Sequence, residues 1–182
     1  DSIIKNPKAS VREKVLAFYE FFKKHPHFPP PEGGPSPADV DPIKAFAVHG
    51  YGWCDTKATN LGAMLELERI PTRNILIPAR GGGHTINEFY DLESGKWCYI
   101  DVDIFKYFED NKRKIMSHEE LVDFIKKQIQ KDPNLLDTEK GKYFKLFFSK
   151  EGEIISPKIL SAYIPNRSIQ EYLEKVEERY NF

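Results

Sequence analysis

Two segments rich in aromatic and β-branched residues, at 84–90 and 97–102, lie on either side of the turn-forming sequence DLESGK. Two such segments with a short polar connection are typical of an antiparallel hairpin. Because side chains alternate between the two faces of a strand, we expect one face to carry a polar and aromatic set. That set is His84, Glu88, Trp97, Tyr99, Asp101 and Asp103.

The register of this hairpin decides which acid lies nearest to His84. Pairing Tyr90 with Trp97 places His84 opposite Asp103, whereas a register slipped by two places His84 directly across from Asp101. Both registers keep the histidine and the two acids on one face.

A helix is predicted to begin at Cys54. Its apolar positions Ala58, Leu61 and Leu65 recur at intervals of three and four residues, and the pattern stops before Pro71. Counting back four residues from Ala58 puts the thiol on the same stripe, at the helix start and directed into the protein.

The remaining elements are predicted to support this region. Residues 25–42 contain seven prolines and two glycines, which excludes a continuous helix or a central strand. Residues 74–77 predict a short buried strand. KYFKLFF at 142–148 alternates as a strand does, although short apolar runs also fit a helix. Three capping boxes predict amphipathic helices: Ser10 with Glu13 ahead of a helix over 11–24, Ser117 with Glu120, and Ser168 with Glu171.

The charge balance argues against several classes of partner. The 182 residues carry 27 Lys and Arg against 28 Asp and Glu, so there is no net field to attract nucleic acid or a membrane surface.

No stretch reaches the roughly 18 apolar residues of a membrane span, so we expect no membrane insertion. The N-terminal DSIIKNPKAS has no apolar run of a signal peptide, but processing removes such signals. The sequence predicts neither the compartment nor the oligomeric state. It allows a secreted or periplasmic location.

The two cysteines, Cys54 and Cys98, are too few for a disulfide scaffold and lack the paired spacing of a structural zinc site. We therefore expect no metal and no cofactor. A Cys/His metal site is a weaker alternative, and a disulfide between the two cysteines that silences Cys54 is another.

A thiol at a helix N-terminus, a histidine at a strand start and a carboxylate on the partner strand are the parts of a nucleophilic triad. The partial positive charge of a helix start and a nearby imidazolium both lower a thiol pKa. A carboxylate that accepts from the second ring nitrogen holds the imidazole in one tautomer. We expect Cys54, His84 and Asp101 to take these roles, with Asp103 as the alternative acid.

Two stretches, GYGWCDTKATNLGAMLELERIPTRNILI and GGGHTINEFYDLESGKWCYIDVD, resemble the transglutaminase-like superfamily of thiol enzymes, which also includes peptide N-glycanases. The resemblance departs from the family pattern at Glu68-Arg69 and at Thr85-Ile86. The positions that carry it agree in order and spacing: Gly52, Cys54, Leu67, Ile70, Pro71, Arg73, His84, Glu88, Tyr90, Trp97 and Asp101.

The resemblance implies an α+β, papain-like fold in which the cysteine helix packs on an antiparallel sheet, with additional flanking helices. We expect a single domain over residues 1–182. Its core motif spans about 46–103, with an N-terminal helix and proline-rich connection over 1–45 and supporting elements over 104–182.

The implied reaction is attack by Cys54 on a carboxamide to form a thioester, which is released to water or to an amine. His84 acts as base and acid, and Asp101 orients it. The resemblance implies a peptide, protein or glycan-linked amide as the substrate. The backbone amide of Cys54 is one candidate donor to the oxyanion, and candidates for the second are the side chains of His49, Tyr51 and Trp53.

The flanking residues have two interpretations each. Trp53 and Trp97 either pack in the core or line a substrate cleft, and Glu88 either bonds within the sheet or touches substrate. The alternative to an enzyme is a catalytically silent domain of the same fold that binds peptide or carbohydrate.

Overall fold

The computed structural model describes residues 3–25, 28–29, 44, 48–78, 83–139, 141–148, 154–155, 157–159, 171 and 174. Among these residues the α-helices are α1 (Val11–Lys24), α2 (Cys54–Leu67) and α3 (His118–Lys131). The strands are β1 (Thr72–Ile77), β2 (His84–Asp91), β3 (Lys96–Ile100) and the two-residue β4 (Lys158–Ile159), and two short 3₁₀ helices span Leu135–Asp137 and Tyr143–Phe147. No helix within the described ranges has the length and apolar character needed to cross a membrane.

The strands form an antiparallel sheet in the order β3-β2-β1-β4. Tyr90 pairs with Trp97, which confirms the predicted register and makes the register slipped by two wrong. Strand β3 ends at Ile100, two residues earlier than predicted, because Asp101 bridges to Lys106 and closes a turn.

Helices cover both faces of the sheet. One core cluster joins α1 and α2 to the face that carries Phe89, Cys98 and Ile100, and a second cluster joins α3 and the 3₁₀ helices to the face that carries Ile86 and Tyr99. This separation follows from the alternation of side chains along β2 and β3. The fold is α+β, with the cysteine helix packed on an antiparallel sheet and flanking helices, as the resemblance implied.

Two of the three predicted capping boxes are formed, at Ser10 with Glu13 and at Ser117 with Glu120. In each, the serine side chain accepts from the third helical amide while the glutamate reaches back to the cap amide. The third, at Ser168, lies outside the described residues, as does most of the proline-rich connection. Of the predicted C-terminal helix, Glu171 and Glu174 are described, and both are helical.

The strand predicted over 142–148 is wrong, because Tyr143–Phe147 is a 3₁₀ helix. A 3₁₀ helix puts residues three apart on one side, and Phe144 and Phe147 are the two buried residues of this segment. The connection from the preceding 3₁₀ helix is tight, since a Cβ at Gly141 would lie 1.8 Å from the carbonyl oxygen of Leu135. Burial of Phe144 and Phe147 in the second core cluster overrides the short alternating pattern.

Candidate active site

Cys54 is the first residue of α2, and the helix behind it is fixed in the core by Ala58, Leu61 and Leu65, which are at most 1% exposed. The thiol is only partly buried and is directed at the start of β2. Its Sγ accepts a hydrogen bond from the amide of Thr85 at 3.4 Å. The predicted helix, its anchoring stripe and its start at the cysteine are therefore present.

His84 is the first residue of β2 and is 8% exposed. Gly83 leads into the strand with φ of 90°, a conformation that other residues rarely adopt. The imidazole Nε2 lies 2.6 Å from Oδ2 of Asp101. In the observed register Asp101 is a diagonal neighbour of His84 on the same face, and diagonal neighbours are within reach of long side chains.

Asp101 is fully buried, and both of its carboxylate oxygens accept hydrogen bonds. Oδ1 accepts from the backbone amides of Asp103 at 2.9 Å and Ile104 at 3.2 Å. Oδ2 accepts from His84 and from the hydroxyl of Tyr143 at 3.3 Å. Four donors replace water around a buried carboxylate, which would otherwise be costly to keep charged.

Tyr143 is a site residue that the sequence did not reveal. Its hydroxyl donates to Asp101 and therefore accepts from the hydroxyl of the fully buried Tyr99. Burial raises the pKa of Tyr143 well above its ordinary value, which keeps the donor proton in place. Only the packing of the 3₁₀ helix against β3 brings this residue, 42 positions away in the chain, to the acid.

Asp103 lies on the other side of the ring. Its Oδ2 is 3.9 Å from Nδ1 of His84, beyond hydrogen-bonding distance, and its Oδ1 pairs with Nζ of Lys57 at 2.6 Å. The geometry therefore favours Asp101 over Asp103 as the acid that orients the imidazole.

The electrostatics of the pair favour a thiolate and an imidazolium. Burial by itself raises the pKa of Cys54, but the hydrogen bond to His84 and the amide of Thr85 outweigh it, and the net pKa is lowered. Burial by itself lowers the pKa of His84, but hydrogen bonds to Asp101 and Cys54 outweigh it and raise that pKa to about 10. Each member of the pair stabilises the charged form of the other.

The three candidates for a second oxyanion donor lie in the segment that runs into α2. The ring of His49 makes an edge contact with Tyr51 at 5.9 Å between centroids, and Tyr51 forms a parallel bridge with Phe28. Trp53 immediately precedes Cys54 and is 53% exposed, so the core-packing alternative is wrong for this residue.

Glu88 and Trp97 are not brought to the thiol. Glu88 is 2% exposed, bonds Nε of Arg73 at 2.8 Å and accepts from the amide of His118 at 3.2 Å, so its contacts are those of a sheet residue. Trp97 lies under the guanidinium of Arg73, 4.2 Å from ring centroid to Cζ. Its strand partner is Tyr90, which lies six residues along β2 from His84. At the usual rise per residue, six residues of strand span roughly 20 Å. These contacts favour core packing for Trp97 over a place in the wall of a substrate cleft.

Cys98 is 2% exposed on the opposite face of β3 from Asp101, and its thiol donates to the carbonyl of Ile115 at 3.4 Å. Burial raises its pKa to about 12. Both cysteines are free, so the alternative disulfide between Cys54 and Cys98 is not formed.

Comparison with known proteins identifies a family. The family model of the transglutaminase-like superfamily matches residues 1–102, more than half of the 182-residue chain and the whole span from Cys54 to Asp101. No curated protein and no solved structure matches the chain. The match covers α1, α2 and the three long strands, while Tyr143 and α3 lie beyond it. The chain belongs to the transglutaminase-like superfamily.

Proposed function

We propose that the protein is a thiol-dependent acyl-transfer enzyme that acts on a carboxamide or peptide-type bond through a thioester on Cys54. The observation that supports this most directly is the continuous chain of contacts from the sulfur through the imidazole of His84 to Asp101, with Nε2 and Oδ2 2.6 Å apart. A nucleophile, a base and an orienting acid in succession are the requirements of covalent acyl transfer.

The first half-reaction forms the thioester. The thiolate of Cys54 attacks the carbonyl carbon, a C–S bond forms, and the π electrons of the carbonyl move onto its oxygen. When the tetrahedral intermediate collapses, the C–N bond breaks and the imidazolium of His84 gives its proton to the leaving amine or ammonia.

The second half-reaction releases the acyl group. Water or an acceptor amine attacks the thioester carbon while the now neutral His84 takes its proton, and the C–S bond breaks to restore the thiolate. Asp101 accepts from Nε2 throughout and leaves the other ring nitrogen to face the sulfur. Hydrolysis and transamidation differ only in which nucleophile reaches the thioester.

The start of α2 is suited to stabilise the oxyanion. The amide of Cys54 is at the first helical position, where no intrahelical carbonyl is available to it. Trp53 occupies the cap position and makes no side-chain cap hydrogen bond, since an indole has a donor but no acceptor; the amide of Thr56 is taken by Oδ1 of Asp55. An oxyanion beside Cys54 would meet a preorganised donor in the amide of Cys54, typically worth about 2.7 to 4 kcal/mol.

Alkylation of Cys54 across pH tests the proposal. The rate constant for reaction with iodoacetamide, read residue by residue by mass spectrometry, should rise well below the pH of roughly 8.5 at which a free thiol ionises. His84→Ala should remove the reactivity at low pH, and Asp101→Asn should reduce it. The buried Cys98 serves as an internal control in the same sample.

Two outcomes would count against an enzyme. One is a Cys54 that titrates as an ordinary thiol regardless of His84, and the other is a labelling pattern dominated by Cys98. Incubation with peptide, glutamine-containing protein and glycan-linked amides, followed by mass spectrometry for an acyl adduct on Cys54, then identifies the substrate. Addition of a primary amine separates transfer from hydrolysis.

A further inference from the structure

Lys57 is a lysine in an unusual place, one turn after Cys54 on α2 and only 9% exposed. Its ammonium pairs with Oδ1 of Asp103 at 2.6 Å, and the two side chains are 11% and 24% exposed. Holding a long, flexible lysine in a nearly closed site costs side-chain entropy and desolvation, so a buried pair of this kind needs a compensating interaction.

Asp103 is the group beside the ring that this lysine holds. Its backbone amide donates to Oδ1 of Asp101, which places residue 103 beside the imidazole of His84. The gap between Oδ2 and Nδ1 is 3.9 Å, only slightly beyond hydrogen-bonding distance, while Oδ1 of the same carboxylate is held by Lys57. Because Nε2 is already bonded to Asp101, Nδ1 is the nitrogen left for the sulfur of Cys54.

We propose that Lys57 is a positioning residue that holds the carboxylate of Asp103 away from Nδ1 of His84, so that this nitrogen serves the sulfur of Cys54. The proposal rests on the proposed function only in that it takes the Cys54–His84 pair to be reactive. It assigns Lys57 no contact with substrate.

The charges around the pair support this role. Among the described residues, the carboxylates of Asp101 and Asp103 lie beside the imidazole, and the ammonium of Lys57 pairs with Asp103. The carboxylate of Asp103 opposes the lowering of the Cys54 pKa, since two negative charges repel. Without the lysine, that carboxylate would be uncompensated beside the thiolate and free to compete for the Nδ1 proton.

A double-mutant cycle tests the proposal, with all variants made in a Cys98→Ala background so that alkylation reports Cys54 alone. The variants are Lys57→Met, which keeps the length of the side chain, Asp103→Asn, which keeps its shape, and the two together. At a pH at least one unit below the midpoint of the parent protein's alkylation profile, Lys57→Met should slow alkylation by iodoacetamide about tenfold, the effect of one pKa unit on the thiolate population. Asp103→Asn should react at least as fast as the parent.

The decisive result is the double variant. If Lys57 acts through Asp103, adding Lys57→Met to Asp103→Asn should change the rate by less than twofold, because no carboxylate remains to be restrained. A tenfold loss in both backgrounds would overturn the proposal and assign the lysine a direct effect on the thiolate. An unchanged rate in a folded Lys57→Met protein would overturn it as well.

Two further readouts separate this result from misfolding and from failure of the enzyme proposal. Thermal unfolding of each variant shows whether it is folded at the assay temperature, and the ¹⁵N resonance of His84 Nδ1 should move in Lys57→Met and return in the double variant. If His84→Ala leaves the parent rate unchanged, the proposed function fails. If His84→Ala slows alkylation but the cycle shows no rescue, only the role of Lys57 fails.

Discussion

Replacing Tyr143 with phenylalanine removes one hydroxyl from a hydrogen-bonded chain that runs from Tyr99 through Tyr143 to Asp101. The ring itself should stay in place, because it stacks on Phe108 at 5.6 Å and meets Phe147 edge-on at 5.6 Å between centroids. The substitution therefore isolates the hydroxyl from the packing.

Two losses follow from the structure. A hydrogen bond to a charged group typically contributes about 1.5 to 3 kcal/mol, and the 3.3 Å separation between Tyr143 and Asp101 puts this one at the lower end. The hydroxyl of the fully buried Tyr99 also loses its partner, which typically costs about 1 to 3 kcal/mol. We expect Tyr143→Phe to lower the free energy of unfolding by the sum of the two, about 2.5 to 4.5 kcal/mol.

The double variant Tyr99→Phe/Tyr143→Phe makes the prediction sharp. It deletes more atoms, yet it leaves no orphaned hydroxyl at position 99, so it should be about 1 kcal/mol more stable than Tyr143→Phe alone. Urea unfolding followed by circular dichroism measures all of these differences, with Tyr90→Phe at the far end of β2 as the matched phenol control. A double variant less stable than Tyr143→Phe would refute the hydrogen-bonded chain.

Three other predictions concern the helix start, the buried ion pair and pH. Gly52→Ala should slow the alkylation of Cys54 and lower the free energy of unfolding by at least about 1 kcal/mol, since the added Cβ at position 52 would lie 2.7 Å from Cβ of Thr56. A thermal melt and a labelling rate equal to those of wild type would contradict this. Glu88→Gln should cost about 3 kcal/mol in urea unfolding because it leaves Arg73 without its buried counter-charge, with the alkylation rate of the folded protein unchanged. Since the pKa of His84 is raised to about 10, its contribution to stability is complete below its unfolded pKa of roughly 6.5 and is lost as pH rises through 10. The gap in unfolding free energy between wild type and His84→Ala should narrow over that window, and a gap that widens would be inconsistent with the raised pKa.

Local patterns were enough to predict the elements around the thiol. The apolar stripe of α2, formed by Ala58, Leu61 and Leu65, and the end of the helix before Pro71 depend on residues within one or two helical turns. They can therefore be predicted without knowledge of the fold. The register of Tyr90 with Trp97 was predictable for a similar reason, because a short connection leaves a hairpin few ways to close.

Patterns of this kind could not place the substrate-contact candidates. Glu88 lies on the same face as His84, as alternation requires, but its partner Arg73 comes from β1 and its second donor from the start of α3. Trp97 shares that face as well, at the opposite end of the strand. Two residues on the same face of a strand can lie far apart along that strand. Only the contacts in the folded protein show that Glu88 and Trp97 pack against groups other than the thiol.

The sequence by itself determined that a cysteine would head a helix and that a histidine and two acids would share one face of a hairpin, because helical and strand periodicity are properties of adjacent residues. It favoured Asp101 as the acid that bonds the imidazole but left Asp103 as an alternative. That choice was made by the turn after β3, which buries Asp101 against His84 and Tyr143, and by Lys57, which pairs with Asp103 from a different element. Contacts between segments far apart in the chain depend on how the layers pack, and no local pattern encodes that packing.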